Sequence, residues 1–158
     1  MKYISTRKQE ETNIKIAILK GLADDGGLFM PEYIPQLEAD FFENLPNLSL
    51  QEIGFRVAKE FLGESISDDN LKEIIDEVLN FEIPAVKIRE NIYSLELFHG
   101  PTMAFKDVGA RFMARMMAYF SEGKPMKVVV ATSGDTGSAV ASGFFNVPWI
   151  EVYILYPK

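Results

Sequence analysis

Lys106 follows Met103, Ala104 and Phe105, with the turn residues Gly100 and Pro101 just ahead of them. Apolar neighbours desolvate a lysine ammonium and favour its neutral form, and a neutral amine condenses with an aldehyde. Lys106 is therefore a candidate Schiff-base lysine. Thr102 reads as the cap of an incoming helix, whose first-turn amides would favour an anionic group beside the amine. The same residues fit a solvated lysine on a helix surface, the more common place for this side chain. Spacing alone leaves both readings open.

A second turn lies within thirty residues: Thr132, Ser133, Gly134, Asp135, Thr136 and Gly137. It falls between a buried strand and a helix, at the carboxyl end of the strand, where open α/β sheets bind their ligands. Glycines let the backbone approach a ligand, and hydroxyls with helix-terminal amides suit a carboxylate or a phosphate. The plain alternative is an ordinary strand-to-helix loop capped by Asp135 or Thr136. The spacing matches neither a P-loop nor the GxGxxG dinucleotide fingerprint. His99 adjoins the lysine turn, as a contact for a substrate phosphate, a proton relay, or a side chain that fixes the turn. Asp107 reads as a capping or solvated carboxylate, and Met113, Met116, Met117 and Phe120 as core.

The elements that must carry these turns follow from periodicity. Residues 3–5 suggest a short strand. Ile14, Ala17, Ile18 and Leu22 recur at helical spacing, with Gly21 as the stop. From Leu28 the chain reads as an irregular connector broken by Pro31, Pro35 and Pro46. Ser49 with Glu52 matches a capping box ahead of Ile53, Val57, Ala58 and Phe61, and Ser67 or Asp68 caps a helix with Leu71, Ile74, Ile75, Val78 and Leu79 on one face. Beyond Pro84 strands and helices alternate: strand 92–98, helix 105–120, strand 127–132, helix 136–145, strand 150–155. That order predicts an α/β fold, an amino-terminal helical layer over residues 1–83 followed by part of a parallel three-layer sheet over residues 84–158, with helices on both sheet faces.

Among 158 residues the net charge is −7, which disfavours nucleic acid and anionic membrane as partners, since both need clustered cations. The absence of cysteine and a single histidine exclude disulfide scaffolds, thiol catalysis and zinc sites built from those residues. No stretch resembles a signal peptide or a membrane span, so the expected location is the cytoplasm.

The runs ELFHGPTMAFKD (96–107) and TSGDTGSA (132–139) resemble the threonine synthase family of fold type II pyridoxal-phosphate enzymes. YISTR (3–7), GLADDGGLFMPE (21–32) and LYPK (155–158) are similar to that family too, so the resemblance runs through the whole chain. It implies that Lys106 holds pyridoxal 5'-phosphate and then shuttles protons on the substrate, and that Asp135 lies near the cofactor ring hydroxyl. Ser133, Thr136 and the loop amides, including those of Gly134 and Gly137, would bind the substrate carboxylate. The implied reaction turns O-phospho-L-homoserine into L-threonine by loss of γ-phosphate and addition of water at the β-carbon.

The family's glycine-rich phosphate loop and ring-nitrogen partner would lie beyond Lys158. The expectation is thus an amino-terminal part of the enzyme with an incomplete site, inactive alone and paired with its missing carboxy-terminal portion. A related phospholyase or dehydratase, and a non-catalytic interaction module that self-associates through a free sheet edge, are the alternatives.

Overall fold

Tyr3–Ser5 (β1) pairs on one side with Glu11–Thr12 (β2) and on the other with Phe29–Pro31 (β3), both antiparallel. The computed structural model describes residues 1–158 and divides into two compact units, Met1–Glu77 and Val78–Lys158. In the first unit Asn13 caps Ile14–Lys20 (α1) by accepting from the Ile16 amide, and Gly21, at φ 75°, ends it. Such a left-handed terminus is what glycine provides without steric cost.

The segment expected to be an irregular connector instead carries β3, Ala39–Asn44 (α2) and a 3-10 turn, Leu45–Asn47. The prolines punctuate these elements without preventing them. Pro31 closes β3, and Pro46 occupies the opening turn of the 3-10 helix, where no amide is required. Pairing with the buried β1 decides the state of β3, as tertiary context commonly does for short strands.

Leu50–Leu62 (α3) begins at the predicted capping box. Ser49 Oγ accepts from the Glu52 amide at 3.2 Å, and the Glu52 carboxylate accepts from the Ser49 amide at 2.7 Å. Asp68–Val78 (α4) follows Ser67, whose hydroxyl accepts from Asn70. The core of this unit is Tyr3, Ile14, Ala17, Phe41, Leu62, Ile66, Leu71, Ile74 and Ile75, and the Tyr3 hydroxyl ties β1 to α3 by donating to the Phe61 carbonyl at 2.9 Å.

The second unit opens with a hairpin of Ala85–Arg89 (β4) and Ile92–Leu95 (β5). This corrects the expectation of a single strand over 92–98 within the parallel sheet. Only two residues, Glu90 and Asn91, separate the strands, and so short a link can join only antiparallel neighbours. Asn91, at φ 60°, is a residue type that tolerates the left-handed turn.

Lys106–Ser121 (α5), Met126–Ala131 (β6), Asp135–Phe144 (α6) and Ile150–Leu155 (β7) then follow the predicted alternation. β6 and β7 are parallel and in register from Met126 against Ile150 to Ala131 against Leu155. Their inner face, Val128, Val130, Val152 and Ile154, is half-buried on the α6 side, whereas Val129, Tyr153 and Leu155 on the other face are exposed. α6 packs on one face of the pair, and within these residues, which carry only part of the sheet, the other face is exposed.

Helices α5 and α6 meet where α6 has no side chain. A Cβ at Gly143 would stand 2.9 Å from the Ala110 carbonyl carbon and 3.0 Å from the Arg111 amide nitrogen. The Arg115 guanidinium donates to the Gly143 carbonyl and locks the crossing. Met116, Met117 and Phe120 are core as expected, but Met113 is 55% exposed.

Candidate functional site

Gly100 to Met103 form a turn in which the Met103 amide donates to the Gly100 carbonyl at 3.0 Å. Met103 sits at φ 56°, a left-handed conformation that costs a non-glycine residue on the order of 1–3 kcal/mol. Helix α5 then starts at Lys106 with no side-chain cap on Phe105. Thr102 is not the helix cap that its position suggests.

The polarity of the contact is reversed. Asp107, inside the first turn, reaches back so that its Oδ2 accepts from the Thr102 amide at 2.9 Å and its Oδ1 from the Thr102 hydroxyl at 2.6 Å. Asp107 is 1% exposed, which overturns its reading as a solvated side chain. Hydrogen bonds to a charged group are worth roughly 1.5–3 kcal/mol each, enough together to hold a strained turn. The carboxylate needs the room that Gly100 leaves: a Cβ there would lie 2.6 Å from Asp107 Oδ2 and 3.0 Å from the Phe81 ring.

Lys106 itself is half-buried, its ammonium 5.6 Å from the Phe105 ring centroid. Met103 and Phe105 are 78% and 63% exposed. The apolar enclosure expected around the amine is therefore not formed by these neighbours. Both side chains lie at the surface, beside the left-handed turn at Met103.

The second turn is organised by Thr132. Its hydroxyl accepts from the amides of Gly134 and Gly137, both at 3.2 Å, and its own amide donates to Leu155 at 3.0 Å, fastening the loop to β7. The amides of Ser133, Asp135 and Thr136 have no partner in the chain, and all three residues are exposed. Gly137 is buried, and a Cβ on it would meet the Thr132 methyl at 2.4 Å. The loop thus presents free donors and two hydroxyls, Ser133 and Thr136, at the first turn of α6, an arrangement suited to an anion.

His99 stacks on Phe98, ring centroids 4.8 Å apart, and its Nε2 lies 2.7 Å from a Glu96 carboxylate oxygen. No hydrogen bond or ion pair joins His99 or Lys106 to residues 133–137; the two turns are related through the α5–α6 crossing. Sequence reasoning missed three supporting residues: Asp107 as the anchor of the lysine turn, Thr132 as the anchor of the loop, and Glu96 as the partner of His99. A glycine and a threonine ahead of a first-turn aspartate are the signal that points to the first.

Residues 2–79 match the family model described as Threonine synthase N terminus. A threonine synthase of Escherichia coli (strain K12) is 36% identical over 149 residues, 94% of this chain and 35% of that protein. One from Saccharomyces cerevisiae is 40% identical over 178 residues, 98% of this chain and 35% of that protein. The solved PLP-bound threonine synthase of Brucella melitensis superposes with a TM-score of 0.95 at 38% identity, over 100% of this chain and 36% of that one. Along nearly its whole length the chain is similar to the threonine synthases.

It spans about a third of the length of the curated threonine synthases it matches. Their fold is the one predicted, helices and strands with only part of the family's sheet present in these residues. No helix is long and apolar enough to cross a membrane.

Proposed function

We propose that the chain supplies the lysine-bearing part of a threonine synthase, which converts O-phospho-L-homoserine and water into L-threonine and phosphate. The observation that carries this reading is the lysine at the first position of α5, paired with an anion-suited loop at the first turn of α6, in a chain that superposes along its whole length on a PLP-bound relative. In this reading residues 84–158 begin the cofactor-binding domain and residues 1–83 form a separate amino-terminal domain.

The donor set fits pyridoxal 5'-phosphate and an amino-acid substrate. Lys106 offers a half-buried primary amine for the aldehyde, and the loop offers unpaired amides and hydroxyls for a carboxylate. When bound, the cofactor supplies the electron sink that makes α- and β-proton loss accessible. Lys106 then serves as the base and acid at the substrate α-carbon, held at a helix start whose free amides favour an anion beside it. Ser133 and Thr136, with the amides of Ser133, Asp135 and Thr136, orient the substrate carboxylate. Gly134 and Gly137 would let the loop approach it, and Asp135 would serve as a partner for the cofactor ring hydroxyl. His99, steadied by Glu96, would be available to contact the substrate phosphate or to relay a proton. The portion of a threonine synthase that these residues do not cover completes the site, so the 158 residues alone are expected to be inactive.

The decisive experiment is reductive trapping. The chain is incubated with pyridoxal 5'-phosphate, reduced with borohydride, and its pyridoxyl group mapped by mass spectrometry. The amine adds to the aldehyde with loss of water, and hydride fixes the bond as a secondary amine. Label concentrated on Lys106 and lost in Lys106→Ala is the expected result; label spread evenly over surface lysines overturns the reading. In the full-length protein, phosphohomoserine should yield threonine and phosphate in equal amounts. Formation of 2-oxobutyrate without threonine would assign the site to a phospholyase or dehydratase instead.

A further inference from the structure

The lysine turn contains a buried carboxylate that the proposed chemistry does not use. Asp107 is almost fully enclosed, and both of its oxygens are engaged with Thr102, five residues earlier in the chain. Between the two ends of that clamp lie the left-handed Met103 and the helix start at Lys106. The Gly100 carbonyl accepts from the Met103 amide and the Ala104 carbonyl from the Asp107 amide, so two backbone bonds brace the turn beside the clamp.

A turn held in a sparsely populated conformation relaxes when its restraint is removed. Relaxation here would change where α5 begins, and with it the position of the first side chain, Lys106. The clamp is also sterically specific. Gly100 leaves room for Asp107 Oδ2 that a residue with a Cβ would not leave, and the Phe81 ring also stands 3.0 Å from where that Cβ would be.

From these contacts we propose that Asp107, acting through Thr102, is the positioning residue of the Lys106 amine. This rests on Lys106 being the lysine that receives an aldehyde cofactor. Asp107 touches neither cofactor nor substrate in this assignment. It sets the amine's location by holding the preceding turn.

The test applies the same trapping with pyridoxal 5'-phosphate to four chains: unaltered, Asp107→Asn, Thr102→Val and Thr102→Ser. Asp107→Asn places an amide nitrogen where a donor already points. Thr102→Val removes the hydroxyl and keeps the amide, and Thr102→Ser restores the hydroxyl. Lys106 labelling should fall roughly tenfold or more in Asp107→Asn, since misplacement by an ångström can cost on the order of 100-fold. It should fall less in Thr102→Val and recover in Thr102→Ser. Label on the exposed Lys124 and Lys127 should stay constant in all four.

The loss should persist across the pH range of labelling, as displacement requires, and not be recovered at higher pH as a changed ammonium equilibrium would allow. Equal Lys106 labelling in all four chains overturns the positioning role while leaving the lysine assignment intact. Absence of Lys106 preference in the unaltered chain overturns the assignment itself. If Asp107→Asn unfolds by circular dichroism, the valine and serine variants at Thr102 decide between the outcomes: lower labelling in valine than in serine supports the role, and equal labelling of the two overturns it.

Discussion

Gly143 of α6 lies so close to Ala110 of α5 that a Cβ on the glycine would stand 2.9 Å from the alanine's carbonyl carbon. The obstacle is main chain, which cannot swing aside as a side-chain tip can. Gly143→Ala should therefore destabilise the protein by about 1–3 kcal/mol, the usual cost of overpacking, despite alanine's better helix propensity. Gly109, also in a helix, meets nothing within 4 Å of its would-be Cβ. Gly109→Ala should stabilise by about 0.4–1 kcal/mol. Denaturant unfolding of the two variants should move the midpoint in opposite directions.

The closeness of Gly137 to Thr132 has a different character. The nearest atom to a Cβ at Gly137 is the Thr132 methyl at 2.4 Å, while the Thr132 hydroxyl organises the loop. Gly137→Ala should destabilise, and Thr132→Ser, which deletes only the methyl, should recover part of the loss. A double-mutant cycle should give a favourable coupling of about 0.5–3 kcal/mol, as expected for residues in direct contact. Additive effects would show that the methyl is not the obstacle.

Asp25 fastens the small antiparallel sheet. Its carboxylate accepts from Ser5 Oγ at 2.6 Å, from the Gly27 amide at 2.8 Å and from the Gln9 amide at 3.3 Å. The Ser5 hydrogen bond foremost, then the amide bonds and the Arg7 charge, lower its pKa below the ordinary carboxylate value, against the opposing effect of desolvation. A carboxyl with a depressed folded-state pKa contributes fully above its unfolded pKa and loses that contribution as pH falls through the folded value. The window therefore runs from about pH 4 downward. Asp25→Asn should lower stability at neutral pH and flatten the acid limb of the stability profile, measured by denaturant melts at successive pH values.

Removing the cap of α3 should cost less than disturbing the core. Ser49→Ala abolishes the hydrogen bond to the Glu52 amide, and the expected loss is about 0.5–2 kcal/mol. Hydrogen exchange should show the increase confined to the first turn of α3; a global increase would mean that the cap supports more than its own helix.

What the sequence revealed and what it hid divide along physical lines. The capping box at Ser49 and Glu52, the Ser67 start of α4 and the bounds of β7 are local events, decided by residues a few positions apart, and they were readable. β3 depends on a partner more than twenty residues away, and nothing in Phe29, Met30 and Pro31 announces it. The hairpin was hidden because Ile92 to Phe98 is apolar enough for a buried strand, and only the two-residue link identifies its antiparallel partner.

At the candidate site, the residue types of Lys106 and the 133–137 loop were legible, and their surroundings were not. Asp107 reads from its position as capping or solvated, and its burial was not legible because it closes on Thr102 across Met103, a residue type with no preference for the left-handed conformation it adopts. Likewise the apolar neighbours of Lys106 pointed to enclosure, but adjacency in sequence does not make neighbours enclose a side chain.

Pro31 has one more effect. The Thr6 amide donates to Leu28 and the Glu32 amide to Lys2, so the amides of β3 that face β1 belong to alternate residues, and position 31 falls on the outward set. A proline there has no N–H to present to a passing strand. The opposite border, β2, is only two residues long. The small sheet is thus guarded on one side by brevity and on the other by a missing donor, and it offers little template for unwanted strand addition.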